Sequence, residues 1–240
     1  MLDAMLGRPR VVAAALSIAA GVATFFASPT APFDGPRVAE ARVSIAYTLP
    51  LLVDGSPWSV VATPLERKSA WEQVDGSRKI VTYTKVRIER RVYGSALADT
   101  VWVRHLGGAV GRIGQQVAGE AVLPLHQPAL LFLHRVKDGR YAVSGAAQGH
   151  FRLLPAAGMT AGPTAGPTPA GQLEGQALES YRRELTTRRV ALDRSMGKLV
   201  RRAGPVLTVQ EVLKDKTLAE AIATIQKAKA ARDAENDSSR

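Results

Sequence analysis

The chain of 240 residues contains no cysteine. This absence excludes disulfide bridges, thiolate zinc sites, iron–sulfur clusters and a cysteine nucleophile. Aromatic residues make up only 5% of the sequence, so the core must consist mainly of Val, Leu, Ile and Ala. The hydrophobic fraction of 46% and the charged fraction of 22% are those of a folded protein, and they exclude a fully disordered chain and a polytopic membrane protein.

The net charge of +11 does not come from one basic arm, because the excess of Lys and Arg is spread along the chain. A diffuse positive charge attracts any polyanion weakly. The sequence lacks the interleaved aromatic and basic residues that are typical of single-strand binding proteins, and it has no groove-reading motif. We therefore expect no specific nucleic-acid partner.

An uncharged, mainly apolar run at residues 11–27 follows Arg8 and Arg10. A positively charged start followed by an apolar run is the layout of an export signal. The Ala-Glu-Ala motif at residues 39–41 fits a cleavage site. Without cleavage, the run would anchor the chain in the inner membrane. We expect a periplasmic or secreted protein in either case, with residues 1–41 forming a signal peptide, or an anchor and a tether.

Hydrophobic alternation with a period of two predicts a strand-rich domain over residues 42–154. In the clearest strand, residues 79–92, one face carries Ile80, Thr82, Thr84, Val86 and Ile88, and the other carries Lys79, Val81, Tyr83, Lys85, Arg87 and Glu89. Further strands are predicted at residues 43–49, 58–65, 100–106, 117–123, 129–136, 141–145 and 150–154. Short strands separated by Gly, Pro and Asp-Gly turns predict a mainly β fold, namely a small OB-like or closed β-barrel or a sandwich.

A resemblance to a known family is carried by the segments PWSVVATPLERKSAW, RKIVTYTKVRIERRVYG, VWVRHLGGAVGRIGQQVAGEAVLPL and ALLFLHRVKDGRYAVSGAAQGHFRL. Together they resemble a family of exported bacterial proteins that has no assigned activity. The matching positions are Trp58, Thr82, Gly94, Gly107, Gly108, Gly111, Gly119, Phe132, Leu133, Gly145, Gln148, Gly149 and Phe151. The match covers residues 57–154, about two-fifths of the chain, and it implies an export signal and a β domain.

More distantly, the chain is similar to netrin-like modules, the OB-type barrels of metalloproteinase inhibitors. Those modules also have a long strand ending near a glycine, here Gly94, and a later Leu-Leu-Phe-Leu strand, here residues 130–133. Their disulfides and their metal-chelating N-terminal Cys have no counterpart in this sequence. The resemblance therefore implies an OB-like barrel and does not imply inhibition.

The glycine-rich segment at residues 107–114 resembles a phosphate-binding loop only superficially. Such a loop needs a helix immediately after it, to supply free N–H groups and a dipole. Here Gly119 and Pro124 follow, and there is no Gly-Lys-Ser/Thr. We expect a glycine-rich turn or bulge.

None of the histidines His105, His126, His134 and His150 has the local spacing of a metal motif. Three of them, His105, His134 and His150, lie in or beside predicted strands and would meet if the barrel brought them together. That arrangement defines an alternative function, a metal-dependent or other periplasmic hydrolytic enzyme. No nucleophile elbow or paired-carboxylate motif is visible.

We therefore predict no catalytic, cofactor-binding or metal-binding residues, and we favour an exported, non-catalytic binding or envelope-associated module. Its expected partner is an envelope protein or a polyanionic ligand.

The last third of the chain begins with a predicted flexible linker, residues 155–176, which repeats Ala-Gly-Pro-Thr. A helical tail is predicted at residues 177–240. Leu178, Leu185, Leu192 and Leu199 recur every seven residues and predict a helix over residues 176–203, which would pack on the barrel or support weak self-association. Thr208 and Glu211 form a predicted capping box before a final helix that ends near Ala231.

Overall fold

The computed structural model of the protein describes residues 44–155, 173–193, 195–196, 199–200 and 206–239. The predicted export signal and tether, residues 1–41, and most of the predicted linker, residues 155–176, lie outside the described residues. In the part of the chain that is described, no helix is long and apolar enough to cross a membrane.

The strands are β1 (Ser44–Ile45), β2 (Trp58–Val74), β3 (Ser77–Tyr93), β4 (Thr100–Leu106), β5 (Gly108–Val110), β6 (Ile113–Gln115), β7 (Ala129–Arg135), β8 (Tyr141–Val143), β9 (His150–Leu154), β10 (Arg189–Leu192) and β11 (Leu199–Val200). The α-helices are α1 (Leu49–Asp54), α2 (Gly175–Leu185), α3 (Val209–Leu213) and α4 (Leu218–Ser238), and a short 3-10 helix spans Ala146–Gly149.

Five strands close into a ring. β2 pairs with β3 and β3 with β4, both antiparallel; β4 pairs with β8 in parallel; β8 and β2 both pair antiparallel with β7. A small closed barrel of five strands is the OB-type architecture, so the predicted mainly β, OB-like fold is confirmed. The edge of β7 that pairs with β8 near Arg135 pairs with β9 near Ala129, and β10 then extends the sheet from β9.

The longest strands are β2 and β3, which form one hairpin closed by Asp75 and Gly76. Both turn residues have positive φ, 51° and 74°, as a type I′ turn requires. The side-chain alternation predicted for residues 79–92 holds only in part. The even-numbered residues from Ile80 to Val86 are buried, and Tyr83 and Lys85 on the other face are half-buried. Val81, Arg87 and Glu89 on that other face are buried as well, and Ile88 is only partly buried.

The barrel interior is filled by small and medium aliphatic side chains, among them Val60, Val86, Val103, Leu131 and Leu133. β7 is buried on both faces, because Leu130 and Phe132, on its other face, belong to a second apolar cluster outside the barrel. A strand buried on both faces needs an uninterrupted apolar run, which explains the Leu-Leu-Phe-Leu sequence.

The second cluster joins the C-terminal elements to the barrel wall. Phe132 packs edge-on against Phe151, with 6.2 Å between ring centroids, and the helices cover both rings. The cluster is completed from α1, α2, α3, α4 and β10 by Leu49, Leu52, Val53, Leu185, Val190, Val209, Leu213, Leu218, Ala221, Ile222 and Ile225. The tail therefore packs on the barrel as part of the same core.

The predicted helix over residues 176–203 is wrong beyond Leu185, and the tail predicted as helical at residues 177–240 contains strands. α2 ends where the hydroxyls of Thr186 and Thr187 donate to the carbonyls of residues 183 and 184. The chain then adds β10 to the free edge of β9. Leu178 and Leu185 share α2, whereas Leu192 lies in β10 and Leu199 in β11, so the four leucines form no zipper.

Two predicted strands are also shorter or absent. Residues 43–49 contain only the two-residue β1, because Thr48 caps α1. Residues 117–123 form no strand, because Gly119 turns the backbone at a φ of 75°. Ala121 and Leu123 pack among the apolar side chains of the barrel interior.

The glycine-rich segment forms the β5–β6 hairpin, as expected for a turn. Gly108 lies so close to β3 that an added Cβ would stand 2.0 Å from the Thr82 hydroxyl. The glycine is therefore required by packing.

Candidate binding face on the outside of the barrel

The three histidines of the alternative enzyme hypothesis do not share a site. His105 follows Val103 on the interior face of β4, and His150 pairs in register with the interior residue Leu131. His134 adjoins Leu133 on β7 and therefore points to the opposite face, where its Nδ1 lies 3.1 Å from the Ser144 hydroxyl. Within the described ranges, no group of three His, Cys, Asp or Glu residues is arranged to hold a metal.

His150 makes a buried pair with Asp193 instead. Its Nδ1 lies 2.5 Å from Asp193 Oδ2, and the hydroxyl of Ser195 lies 2.7 Å from Oδ1. Burial is the largest single effect and raises the pKa of Asp193, but the hydrogen bond and charge of His150 and the hydrogen bonds from Ser195 together outweigh burial and lower that pKa. Because Ser195 contacts the carboxylate and not the imidazole, the three groups form no nucleophile relay. They tie the segment after β10 to the barrel.

The outward face of β3 and β4 carries large aromatic and cationic side chains. Tyr83 pairs in register with Arg104, and Lys85 with Trp102. Lys68 of β2 faces Tyr83 from the other side and lies over the Trp102 ring, with 5.2 Å from Nζ to the centroid. These residues lie on the barrel wall because strand alternation directs every second side chain to solvent.

The β7–β8 loop reaches over this wall. Arg140 stacks on Tyr83, with its guanidinium carbon 4.3 Å from the ring centroid. A cleft of about 170 Å³ lies between Lys68, Tyr83, Trp102 and Arg140. A second cleft of about 390 Å³ lies between the β3–β4 and β7–β8 loops, and it is also lined by Trp102 and Arg140. The two clefts therefore adjoin, and we call them together the outer face.

Three carboxylates lie among these cations. Glu66 is opposite Lys85 in register and lies 3.8 Å from Lys68 Nζ. Glu72 accepts a hydrogen bond from the Tyr83 hydroxyl, and Arg104 Nη2 lies 3.3 Å from its other oxygen. Asp138 lies 2.7 Å from Arg140 Nη1. Burial and the bond to Glu72 raise the pKa of Tyr83. Burial is the largest single effect and raises the pKa of Asp138, but two hydrogen bonds from Arg140 and the charges of Arg140 and Arg104 together outweigh it and hold the pKa below its usual value.

The chemistry of the outer face suits binding. Its arginines and lysines donate hydrogen bonds to anions, its rings offer flat apolar surface, and its carboxylates accept hydrogen bonds. A general acid at neutral pH needs a raised carboxyl pKa, whereas the pKa of Asp138 is lowered. Barrels of this type commonly bind oligonucleotides and oligosaccharides on the corresponding strands and loops.

The sequence pattern does not identify this face as a site. Alternation marks the outward positions of residues 79–92, but Trp102 and Arg104 alternate with buried valines in the same way and belong to no motif. A Trp and an Arg at neighbouring outward positions of one strand are the available signal. The contribution of Arg140 depends on barrel closure, which no local pattern reveals.

Comparisons of the chain with protein-family models, with curated proteins and with solved structures gave no significant match. The resemblance to a family of exported bacterial proteins thus stays a prediction from sequence.

Proposed function

We propose that the protein is a non-catalytic binding module that holds an extended anionic ligand on the outer face. The observation that carries this proposal is the pair of adjoining clefts that share Trp102 and Arg140. A ligand that spans both clefts would contact Trp102 and Arg140 wherever it lies, and it would meet the cations Lys68, Lys85, Arg104, Arg135 and Arg140.

Charge supports an anionic ligand. The outer face and the outward strand positions beside it have five cationic side chains, namely Lys68, Lys85, Arg104, Arg135 and Arg140, against three carboxylates, Glu66, Glu72 and Asp138. Arginine binds carboxylate, sulfate and phosphate groups through paired N–H donors, and such charge-assisted bonds are about twice as strong as neutral ones.

The test is the anisotropy of fluorescently labelled heparin, a sulfated polyanion, on addition of the full-length protein. We expect Trp102→Ala and Arg140→Ala each to weaken binding roughly 10-fold, as the loss of a charge-assisted or aromatic contact predicts. The matched controls are Trp71→Ala and Arg112→Ala. Trp71 is paired with Ile80 and faces away from Tyr83, and Arg112 is exposed in the β5–β6 turn.

The controls separate a site from general charge attraction. If Arg112→Ala weakens heparin binding as much as Arg140→Ala does, the net charge of the chain alone explains the affinity, and the proposed face is wrong. Circular dichroism of each variant checks that the fold is intact.

We also propose that the protein acts outside the cytoplasm, as the apolar run at residues 11–27 predicts. A reporter that is active only after export, fused after Leu154, should lose its activity when that run is deleted. Unchanged activity after the deletion would contradict export through this segment.

A further inference from the structure

The outer face mixes hydrogen-bond donors with acceptors, and this mixture indicates a class of ligand. Resting on the proposed function, we propose that the ligand is a hydroxyl-rich anionic glycan, with carboxylate groups on its sugar rings, and not a single-stranded nucleic acid. The argument depends on Glu72 and Asp138, which lie beside Arg104 and Arg140 within the same surface.

A nucleic-acid backbone presents phosphate oxygens, which only accept hydrogen bonds and carry one negative charge per nucleotide. Surfaces that follow such a backbone therefore use donors and positive charge. Glu72 and Asp138 offer hydrogen-bond acceptors, for which a phosphate backbone has no donor. Sugar hydroxyls both donate and accept, so a glycan can use the carboxylates and the arginines together.

The aromatic rings support the same choice. Arg140 already stacks on Tyr83 at 4.3 Å, and Lys68 lies over Trp102 at 5.2 Å. Bases would have to displace these cations to stack on the same ring surfaces. A sugar carboxylate can instead pair with each cation where it stands, while the apolar side of the sugar packs beside the ring.

Charge excludes a neutral glycan as the best ligand. Five cations against three carboxylates leave an excess of two positive charges, which negative groups on the ligand would neutralise. A polymer that combines hydroxyls and carboxylates fits both observations, whereas a neutral glycan fits only the first.

The experiment compares two labelled probes at equal ionic strength, an oligogalacturonate and an oligothymidylate with the same number of charges, against the full-length protein. We expect the oligogalacturonate to bind at least about 10-fold more tightly. Glu72→Ala should strengthen oligothymidylate binding, because a repelling charge is lost. The same loss of charge favours the oligogalacturonate, but the lost acceptor opposes it, so the oligogalacturonate should gain about 3-fold less affinity than the oligothymidylate gains.

Glu72→Gln serves as the matched variant, because it removes the charge and keeps an acceptor oxygen. It should strengthen the binding of both probes to a similar degree, so the ratio of their affinities should stay within about 2-fold of the wild-type ratio. Trp102→Ala reports on the outer face itself.

Each outcome has a defined meaning. If oligothymidylate binds more tightly, or if Glu72→Ala changes the ratio of the two affinities no more than Glu72→Gln does, the glycan assignment is overturned. If that stronger oligothymidylate binding is also lost in Trp102→Ala, the proposed binding face still stands. If neither probe binds, or binding does not respond to Trp102→Ala, the proposed function fails together with this inference.

Discussion

Lowering the pH from about 7.5 to about 5 is expected to remove about 2 kcal/mol of folding stability through His105 alone. This imidazole lies inside the barrel wall, 7% exposed, and its Nε2 is 3.4 Å from the Thr84 hydroxyl. Burial lowers the pKa of His105 from 6.5 to about 4, aided by the positive charge of Arg67, while a contact with the Leu106 carbonyl opposes the shift.

The direction in which folding stability changes with pH follows from the protons that the folded and unfolded chains bind. Below pH 6.5 the unfolded chain protonates His105, whereas the folded chain keeps it neutral until about pH 4. Folding stability is therefore complete above pH 6.5 and falls as the pH drops from 6.5 towards about 4. Each unit of difference between the pKa of the unfolded and the folded chain is worth about 1.4 kcal/mol. The shift from 6.5 to about 4 therefore gives a total loss of about 3 kcal/mol, of which about 2 kcal/mol has occurred at about pH 5.

The assay is urea unfolding of the full-length protein, followed by circular dichroism at both pH values. With a urea dependence of about 2 kcal/mol per molar, the wild-type midpoint should fall by about 1 M. His105→Gln cannot titrate, so its midpoint should fall by much less over the same range. Asp193 does not interfere with this assay. Its lowered pKa stabilises the folded state above about pH 4, and this stabilisation is lost only below that pH.

His134→Gln is the matched control. Burial also lowers the pKa of His134, but this side chain is only partly buried, so its removal should reduce the pH dependence less than His105→Gln does. The reasoning is refuted if His105→Gln loses as much stability as the wild type between the two pH values.

Two further predictions concern packing and are tested by the same unfolding measurement at neutral pH. Phe132→Ala should cost about 3–5 kcal/mol, because its ring is fully buried against Phe151 and Tyr93; a cost below about 1 kcal/mol would contradict the second core outside the barrel. Gly149→Ala should cost about 1–3 kcal/mol or more, since its Cβ would stand 2.1 Å from the Ser144 carbonyl oxygen, whereas Gly139→Ala, with open space around it, should be strained only by its positive φ.

The barrel strands are predictable because their signal is local. Thr100–Leu106 and His150–Leu154 have the predicted bounds, and β7 differs from its prediction by one residue. In each case alternation or an apolar run between turns reports the burial of the two strand faces directly. Asp75 and Gly76 add the turn chemistry that sets the register of the β2–β3 hairpin.

The prediction for the tail is wrong because the deciding contact is distant in sequence. The seven-residue spacing of the leucines is compatible with a helix over all of residues 178–199. Residues 189–192 form a strand instead, because they pair with the free edge of β9. Val190 is fully buried by this pairing, beneath α3 and α4. A tertiary contact of this kind overrides helix propensity without leaving a mark on the local sequence.

The outer face, too, is predictable from the sequence only in part. Alternation alone places Tyr83 and Lys85 on the outside of the barrel, and it does the same for Trp102 and Arg104. Their joint role depends on the parallel pairing of β4 with β8, which brings the β7–β8 loop and Arg140 onto Tyr83. Strand alternation thus identifies the wall of the site, while ring closure, a non-local event, supplies its arginine. A search for binding faces on small barrels should therefore begin with aromatic residues at outward strand positions and then ask which loop the closed ring places over them.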